Sequence, residues 1–179
     1  MMSEENQCKD TYDNFLSFSR ITTENWLAPD RKDYMPFGIG EDDWIKYFLA
    51  PRLDSATVPQ KVIQVFEIAR GALIYSWFFY PLATLGQEQC SRVAEFAVRE
   101  RCHMISQKPG VFSENIQMLA ALGIISTEDE SRWQAVRNLR NRSSHPEKLT
   151  FTDPGDALTT VHSMVELINR IFSGSSKPA

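Results

Sequence analysis

A chain of 179 residues, 42% hydrophobic and 11% aromatic, is long enough for one ordinary domain with a real core. Its net charge of -4 and isoelectric point near 5.4 exclude a generally basic nucleic-acid coat, so any phosphate-binding function must rest on a local patch. Cys8, Cys90 and Cys102 are odd in number and lack CxxC-type spacing, which argues against a disulfide framework or a zinc site and for a reducing compartment.

The first residues, Met1-Met2-Ser3-Glu4-Glu5-Asn6, are acidic and polar and do not resemble a signal peptide. Residues 1–57 are expected to form a small N-terminal helical extension. In it, Asp10 caps a helix running to Leu27 and stopped near Pro29, Pro36 to Gly40 form a loop, and Asp42 to Leu49 a short helix before Pro51. The main body, 58–173, begins at Val58-Pro59, where proline suits a first helical turn. Val62, Val65, Phe66 and Ala69 follow at helical spacing, and from Leu73 to Tyr80 the helix is apolar nearly all round. Such a segment belongs in the core of a bundle or at a subunit interface. The longest apolar run, Ala72 to Ala83 broken only by Ser76, is too short to span a bilayer, so no membrane association and a cytoplasmic location are expected.

Pro81 and Gly86 predict a kink and then a break, followed by a helix over Gln87 to Ser106 that ends at Pro109-Gly110. Ser113 reads as the N-cap of a helix over Glu114 to Leu122, stopped by Gly123. Thr127, with Glu130 three residues on, reads as a capping box for a helix carrying Trp133, Val136 and Leu139. Asp153-Pro154 opens a last helix with Val161, Val165, Leu167, Ile168 and Phe172, and residues 174–179 form a flexible tail. No strand pattern is visible. The fold class is all-α, an antiparallel helical bundle with short links.

The chemistry concentrates in Leu139-Arg140-Asn141-Arg142-Ser143-Ser144-His145-Pro146. Arg140 lies seven residues after Trp133 and four after Val136, so it falls on the apolar stripe, where a guanidinium needs an anion or a partner. Arg142 points away. Pro146 disfavours helical geometry at His145, so the helix ends near Ser143 or Ser144 and the chain is able to bring His145 back toward Arg140. A permanent forked cation beside a group that titrates near neutrality suits a phosphate diester. Arg132, Arg137, Arg140, Arg142 and Lys148 make this segment locally basic, with Arg137, Arg142 and Lys148 as candidate RNA phosphate contacts; a solvated helix face accounts for such charges equally well. Glu88, Arg92, Glu95 and Arg99 follow one another at i, i+4, i+7 and i+11, the spacing of a surface ion-pair row; in the alternative, Glu95 pairs with Arg140 and fixes its fork. His103 and His162 have no ligand-spaced partners. The aromatic run Tyr75 to Tyr80 reads as core or as a dimer face.

Arg140-Asn141-x-x-x-His145 resembles the R-x(4–6)-H signature of the HEPN superfamily, and Trp133 through Pro146 is similar to the LRN-x-x-AHP helix end of HEPN and DUF4145-like bacterial proteins. Ala72 to Glu95 resembles the helix pair of that group, and Ile116 to Ile125 its connector, so the likeness covers about residues 58–173. The resemblance implies a helical bundle that dimerises and, in catalytic members, a metal-independent, cofactor-free ribonuclease site made by two facing motifs. On that reading His145 is the general acid or base, Arg140 holds the scissile phosphate and Asn141 orients the pair. The implied partners are RNA, a second copy and a protein regulator or antitoxin, in the setting of a toxin or phage-defence effector. Two readings stand beside it: a non-catalytic module that binds a nucleotide or protein partner, and a structural helical dimer whose motif is only a helix terminus.

Overall fold

A computed structural model describes residues 21–28, 39–106, 108–142 and 152–173. Among these residues the chain is all-α: six helices and no strand. They are α1 (Glu41–Leu49), α2 (Gln60–Tyr75), α3 (Leu82–Ser106), α4 (Phe112–Ala121), α5 (Thr127–Arg142) and α6 (Pro154–Ser173). No helix is long and apolar enough to cross a membrane, again among the described residues. The expected cap at Asp10, the loop over 36–38 and the tail after Ser173 lie outside them.

α3 is the element against which α2, α4, α5 and α6 are placed. Leu73 near the end of α2 meets Gly86 near the start of α3, and Lys61 at the other end of α2 pairs with Glu100, so the two helices run antiparallel. Gln87 and Thr160 join α3 to the start of α6. At the far end of α6, Asn169 bonds Asp54 and Arg52, just ahead of α2, so α6 runs alongside α3 in the same direction. Asp129 at the start of α5 pairs with Arg170 near the end of α6, which sets α5 antiparallel to α6. The buried centre is built from Phe66, Leu73, Ile116, Leu119, Trp133 and Met164. Trp44, Phe48 and Leu53, from the segment ahead of α2, bury in the same core, and the Trp44 indole donates to the Ile74 carbonyl (3.0 Å).

Several boundaries differ from those expected. Residues 23–27 form a turn rather than the end of a helix, because Thr22 and Asn25 bond the backbone locally: Asn25 Oδ1 accepts from the Thr22 N–H (2.7 Å) and Thr22 Oγ1 from the Glu24 N–H (3.2 Å). α2 stops at Tyr75 instead of running to Tyr80. Ser76 Oγ donates to the Leu73 carbonyl (2.6 Å), the Phe78 N–H turns back to Tyr75 (3.0 Å), and Pro81 disfavours helix at Tyr80. The apolar run therefore becomes a tight corner. Trp77 and Tyr80 bury in it while Tyr75 is exposed.

The break expected at Gly86 is absent. α3 begins at Leu82, directly after the proline, and runs through the glycine. The N-cap of α4 is Val111, two residues before Ser113, because the Glu114 carboxylate reaches back to the Val111 N–H (3.1 Å). Gly123 does stop α4: it takes a left-handed φ of 69°, and its N–H and that of Ile124 return to Ala120 and Leu119 (both 2.9 Å), a Schellman ending. The cap of α5 is Ser126 rather than Thr127, its hydroxyl accepting from the Asp129 N–H (3.1 Å). Asp153 caps α6 as expected, with Oδ1 on the Gly155 N–H (2.7 Å).

Cys90 and Cys102 are buried free thiols. Burial pushes their pKa values up to about 12 and about 11, so both stay protonated and unreactive in the folded chain.

Gly86 tests the packing most directly. A Cβ there would sit 2.5 Å from Leu73 Cγ and 3.1 Å from the Leu73 backbone nitrogen, and Leu73 is fully buried. A side chain gains about 1 kcal/mol of helix propensity over glycine at best, whereas overpacking costs about 1–3 kcal/mol. Gly86→Val, which adds β-branching to the clash, is expected to lower stability by about 2 kcal/mol in urea denaturation.

Candidate functional site

The last turn of α5 carries the candidate site. Trp133 and Val136 are buried, and Leu139 packs half-buried against the same core. The stripe they define carries Arg140 inward on the side of α3. There Arg140 Nε donates to Glu95 Oε2 at 2.7 Å. The side chains are 36% and 30% exposed, so solvent screens the pair and its contribution to stability is about 1 kcal/mol at most. Its effect is directional, because a carboxylate on Nε fixes the plane of the guanidinium.

Asn141 and Arg142 are exposed. Arg137 is half-buried and its Nη1 donates to Gln134 (3.2 Å). His145 and Lys148, with Ser143, Ser144 and Pro146, lie outside the described residues. Of the expected site residues, the structure thus brings Arg140 and Glu95 together and leaves Asn141 and Arg142 on the surface of the same helix end.

The ladder on α3 is not the expected row. Glu95 turns to Arg140, and the Arg99 guanidinium lies over the Phe96 ring at 5.4 Å. Glu88 is half-buried: burial pushes its carboxyl above the ordinary range and outweighs the opposing charge of Arg92. His103 and His162 are both exposed. Among the described residues, no three histidine, cysteine or carboxylate side chains are grouped as metal ligands.

Two further groups position α5 and were not singled out by sequence reasoning. The first is an ion network at its start. Asp129 is 4% exposed; Arg170 Nη1 reaches both its oxygens at 2.9 Å and Arg132 Nη1 reaches Oδ1 at 3.1 Å. Both arginines also pair with Glu166. Arg132 therefore drops out of the basic patch, since its charge is neutralised between α5 and α6. The signals were present as Asp129-x-x-Arg132 and Glu166-x-x-x-Arg170, spacings that place each pair on one helix face. The second is a hydrogen-bond chain where the backbone rejoins the bundle after the motif. Thr84 Oγ1 accepts from the Thr152 N–H (2.9 Å), the Thr152 hydroxyl donates to Gln87 Oε1 (2.8 Å), and Gln87 Nε2 donates to Thr160 Oγ1 (2.9 Å). No local pattern marks these residues, because the pairing joins positions far apart in the chain.

The family model described as "Domain of unknown function (DUF4145)" matches residues 86–178, just over half the chain, and this span contains Glu95, Arg140 and His145. No curated protein and no solved structure matches the chain.

The charged groups make two predictions. Burial alone raises the Asp129 pKa, but hydrogen bonds and charge from Arg170, with help from Ser126 and Arg132, hold it below the ordinary value. Its stabilisation is present above the unfolded carboxylate pKa and is lost as pH falls through the folded one. Asp129→Ala is expected to cost about 3 kcal/mol near pH 7, with the gap to the parent chain closing in strong acid when melting is followed against pH. Glu88 has the opposite sign: a raised pKa favours the protonated form in the fold, so its stabilisation exists at low pH and is lost as pH rises through the folded value. Glu88→Gln is expected to raise the melting temperature near pH 7 and to leave it unchanged below about pH 4.

Proposed function

The chain belongs to the DUF4145 family, and from that premise we propose that it is a HEPN-type endoribonuclease that cleaves RNA without a metal ion. The observation that carries this reading is the Glu95–Arg140 pair. It fixes the plane of a guanidinium on the last turn of the motif helix, five residues ahead of His145 in the chain. Arg140 holds the scissile phosphate and stabilises the charge that builds on it. His145 takes the proton of the ribose 2′-hydroxyl or returns one to the leaving 5′-oxygen. The 2′-oxygen bonds to phosphorus as the bond to the 5′-oxygen breaks, giving a 2′,3′-cyclic phosphate and a 5′-hydroxyl. Asn141 orients the pair, and Arg137, Arg142 and Lys148 contact flanking phosphates. Two copies facing each other bring two motifs to one composite site. A toxin or phage-defence effector held by a protein regulator or antitoxin is the biological setting this chemistry suits.

The acidic balance of the whole chain favours a second reading: a HEPN-like module that binds a nucleotide or protein partner through Arg140 and does no chemistry. One experiment separates them. Purified protein is expected to cut RNA in the presence of EDTA. His145→Ala is expected to reduce the rate by at least about a hundredfold with an unchanged circular dichroism spectrum. Cleavage that depends on added metal, or that survives intact in the variant, rejects the nuclease reading. Absence of cleavage together with Arg140-dependent nucleotide binding establishes the second.

A further inference from the structure

The exposed face of α3 differs in charge from the row its sequence spells. Glu88, Arg92, Glu95 and Arg99 alternate in sign along it, and a closed row would be neutral. Folding draws the carboxylates away. Glu95 is turned to Arg140 of α5 (2.7 Å). The next acid along, Glu100, is buried and held by Lys61 of α2. Glu88 is half-buried and offsets part of the charge of Arg92, one turn on. Arg92 and Arg99 are exposed, and among the described residues neither forms a salt bridge. A guanidinium left at the surface without its carboxylate keeps its attraction for an outside anion.

Spacing gives that anion its form. Arg92, Phe96 and Arg99 stand at i, i+4 and i+7, one stripe of the helix, and the two arginines lie about 10 Å apart along its axis. Glu95, which holds Arg140, lies between their two levels. A single carboxylate or phosphate cannot bridge that length, whereas a chain of phosphates can. The stripe also carries an aromatic ring among its charges. The Arg99 guanidinium lies over the half-buried Phe96 ring at 5.4 Å, and the Lys61 ammonium is 5.9 Å from the same centroid. The ring thus backs a flat, exposed guanidinium, a surface on which an unpaired base stacks. Cations interleaved with an aromatic ring fit a single strand better than a duplex, whose bases are paired, or an acidic peptide, which has no flat group to offer.

We propose that the Arg92–Phe96–Arg99 stripe of α3 is a track for single-stranded RNA that leads past Arg140. Arg92 and Arg99 take phosphates to either side of it, and a base stacks on Arg99 where Phe96 backs the guanidinium. The proposal rests on the reading of Arg140 as a phosphate-holding group of an RNA site. It requires that RNA bind there, not that it be cut.

Fluorescence anisotropy with a labelled 2′-O-methyl RNA of about twelve nucleotides tests it; lacking 2′-hydroxyls, the strand cannot be cleaved by the proposed route. With the full chain in EDTA, the double variant Arg92→Gln, Arg99→Gln is expected to bind at least about tenfold more weakly. Its slope of log affinity against log salt is expected to fall by about 1.4, two phosphate contacts at about 0.7 each. Both side chains are exposed, so its melting temperature is expected to match that of the parent chain. Arg99→Lys is expected to keep the parent slope and to lose about fivefold in affinity, because an ammonium does not stack. In the cleavage assay the double variant is expected to lose rate on a long strand but not on a dinucleoside monophosphate, which offers the scissile phosphate alone. Parent-like affinity and slope in the double variant overturn the proposal, as does an Arg99→Lys variant that binds like the parent. A duplex of the same length that binds as tightly as the single strand also overturns it, and so does polyglutamate, which would point to an acidic protein partner. A parent chain that binds the strand through Arg92 and Arg99 but cuts no RNA upholds the track and rejects the nuclease reading alone.

Discussion

α3 can lie where it does because Gly86 has no side chain to hold Leu73 away. That close approach sets the spacing of α2 and α3, the antiparallel pair at the centre of the core. α4, α5 and α6 are then placed from the faces of α3 that remain. Cys102 donates to the Asn115 carbonyl of α4 (3.8 Å), Glu95 takes Arg140 of α5, and Gln87 takes Thr160 of α6. A residue usually read as a helix breaker acts here as a contact surface. Its cost in propensity, about 1 kcal/mol, is small beside the apolar area that Leu73 buries against it.

Charge is arranged by the same geometry. A linear count makes α5 the basic element of an acidic chain. Folding divides its arginines into two populations. Arg132, in the first half, is drawn into a network with Asp129, Glu166 and Arg170 and serves to join α5 to α6. Arg137, Arg140 and Arg142 remain at the end that leads into the motif. The first half of α5 is thus an anchor to α6, and the second half holds the arginines nearest the motif.

Much of this architecture is legible from the residues alone. Gly123 ends α4 through a left-handed turn, Asp153 caps α6, and the apolar spacing of Trp133, Val136 and Leu139 places Arg140 on the inward stripe. The pairing of Glu95 with Arg140 is legible only as the less favoured alternative to a surface row on α3, because the docking of the two helices decides which of them forms. The misread boundaries share a cause: each was decided by a contact the local pattern does not contain. Ser113 has a capping side chain, but Glu114 reaches back to Val111 first. The apolar run after Leu73 has helical composition, but Ser76 and Pro81 turn it into a corner against which Trp44 packs. Gly86 has the composition of a break, but Leu73 fills the space its missing side chain leaves. Thr84, Gln87 and Thr152 carry no signature, because a clasp between positions more than sixty residues apart exists only after the helices have met.

The two buried thiols on α3 give the molecule an internal clock. Cys90 and Cys102 lie on the helix that α2, α4, α5 and α6 all pack against, and neither is a thiolate while that helix is covered. Alkylation at either position therefore waits for α3 to part from its neighbours, and its rate reports how often that happens. Cys90 samples the stretch beside the clasp on Thr152, and Cys102 the end against α4. Comparing the two rates would tell whether the bundle opens from one end or comes apart as a unit.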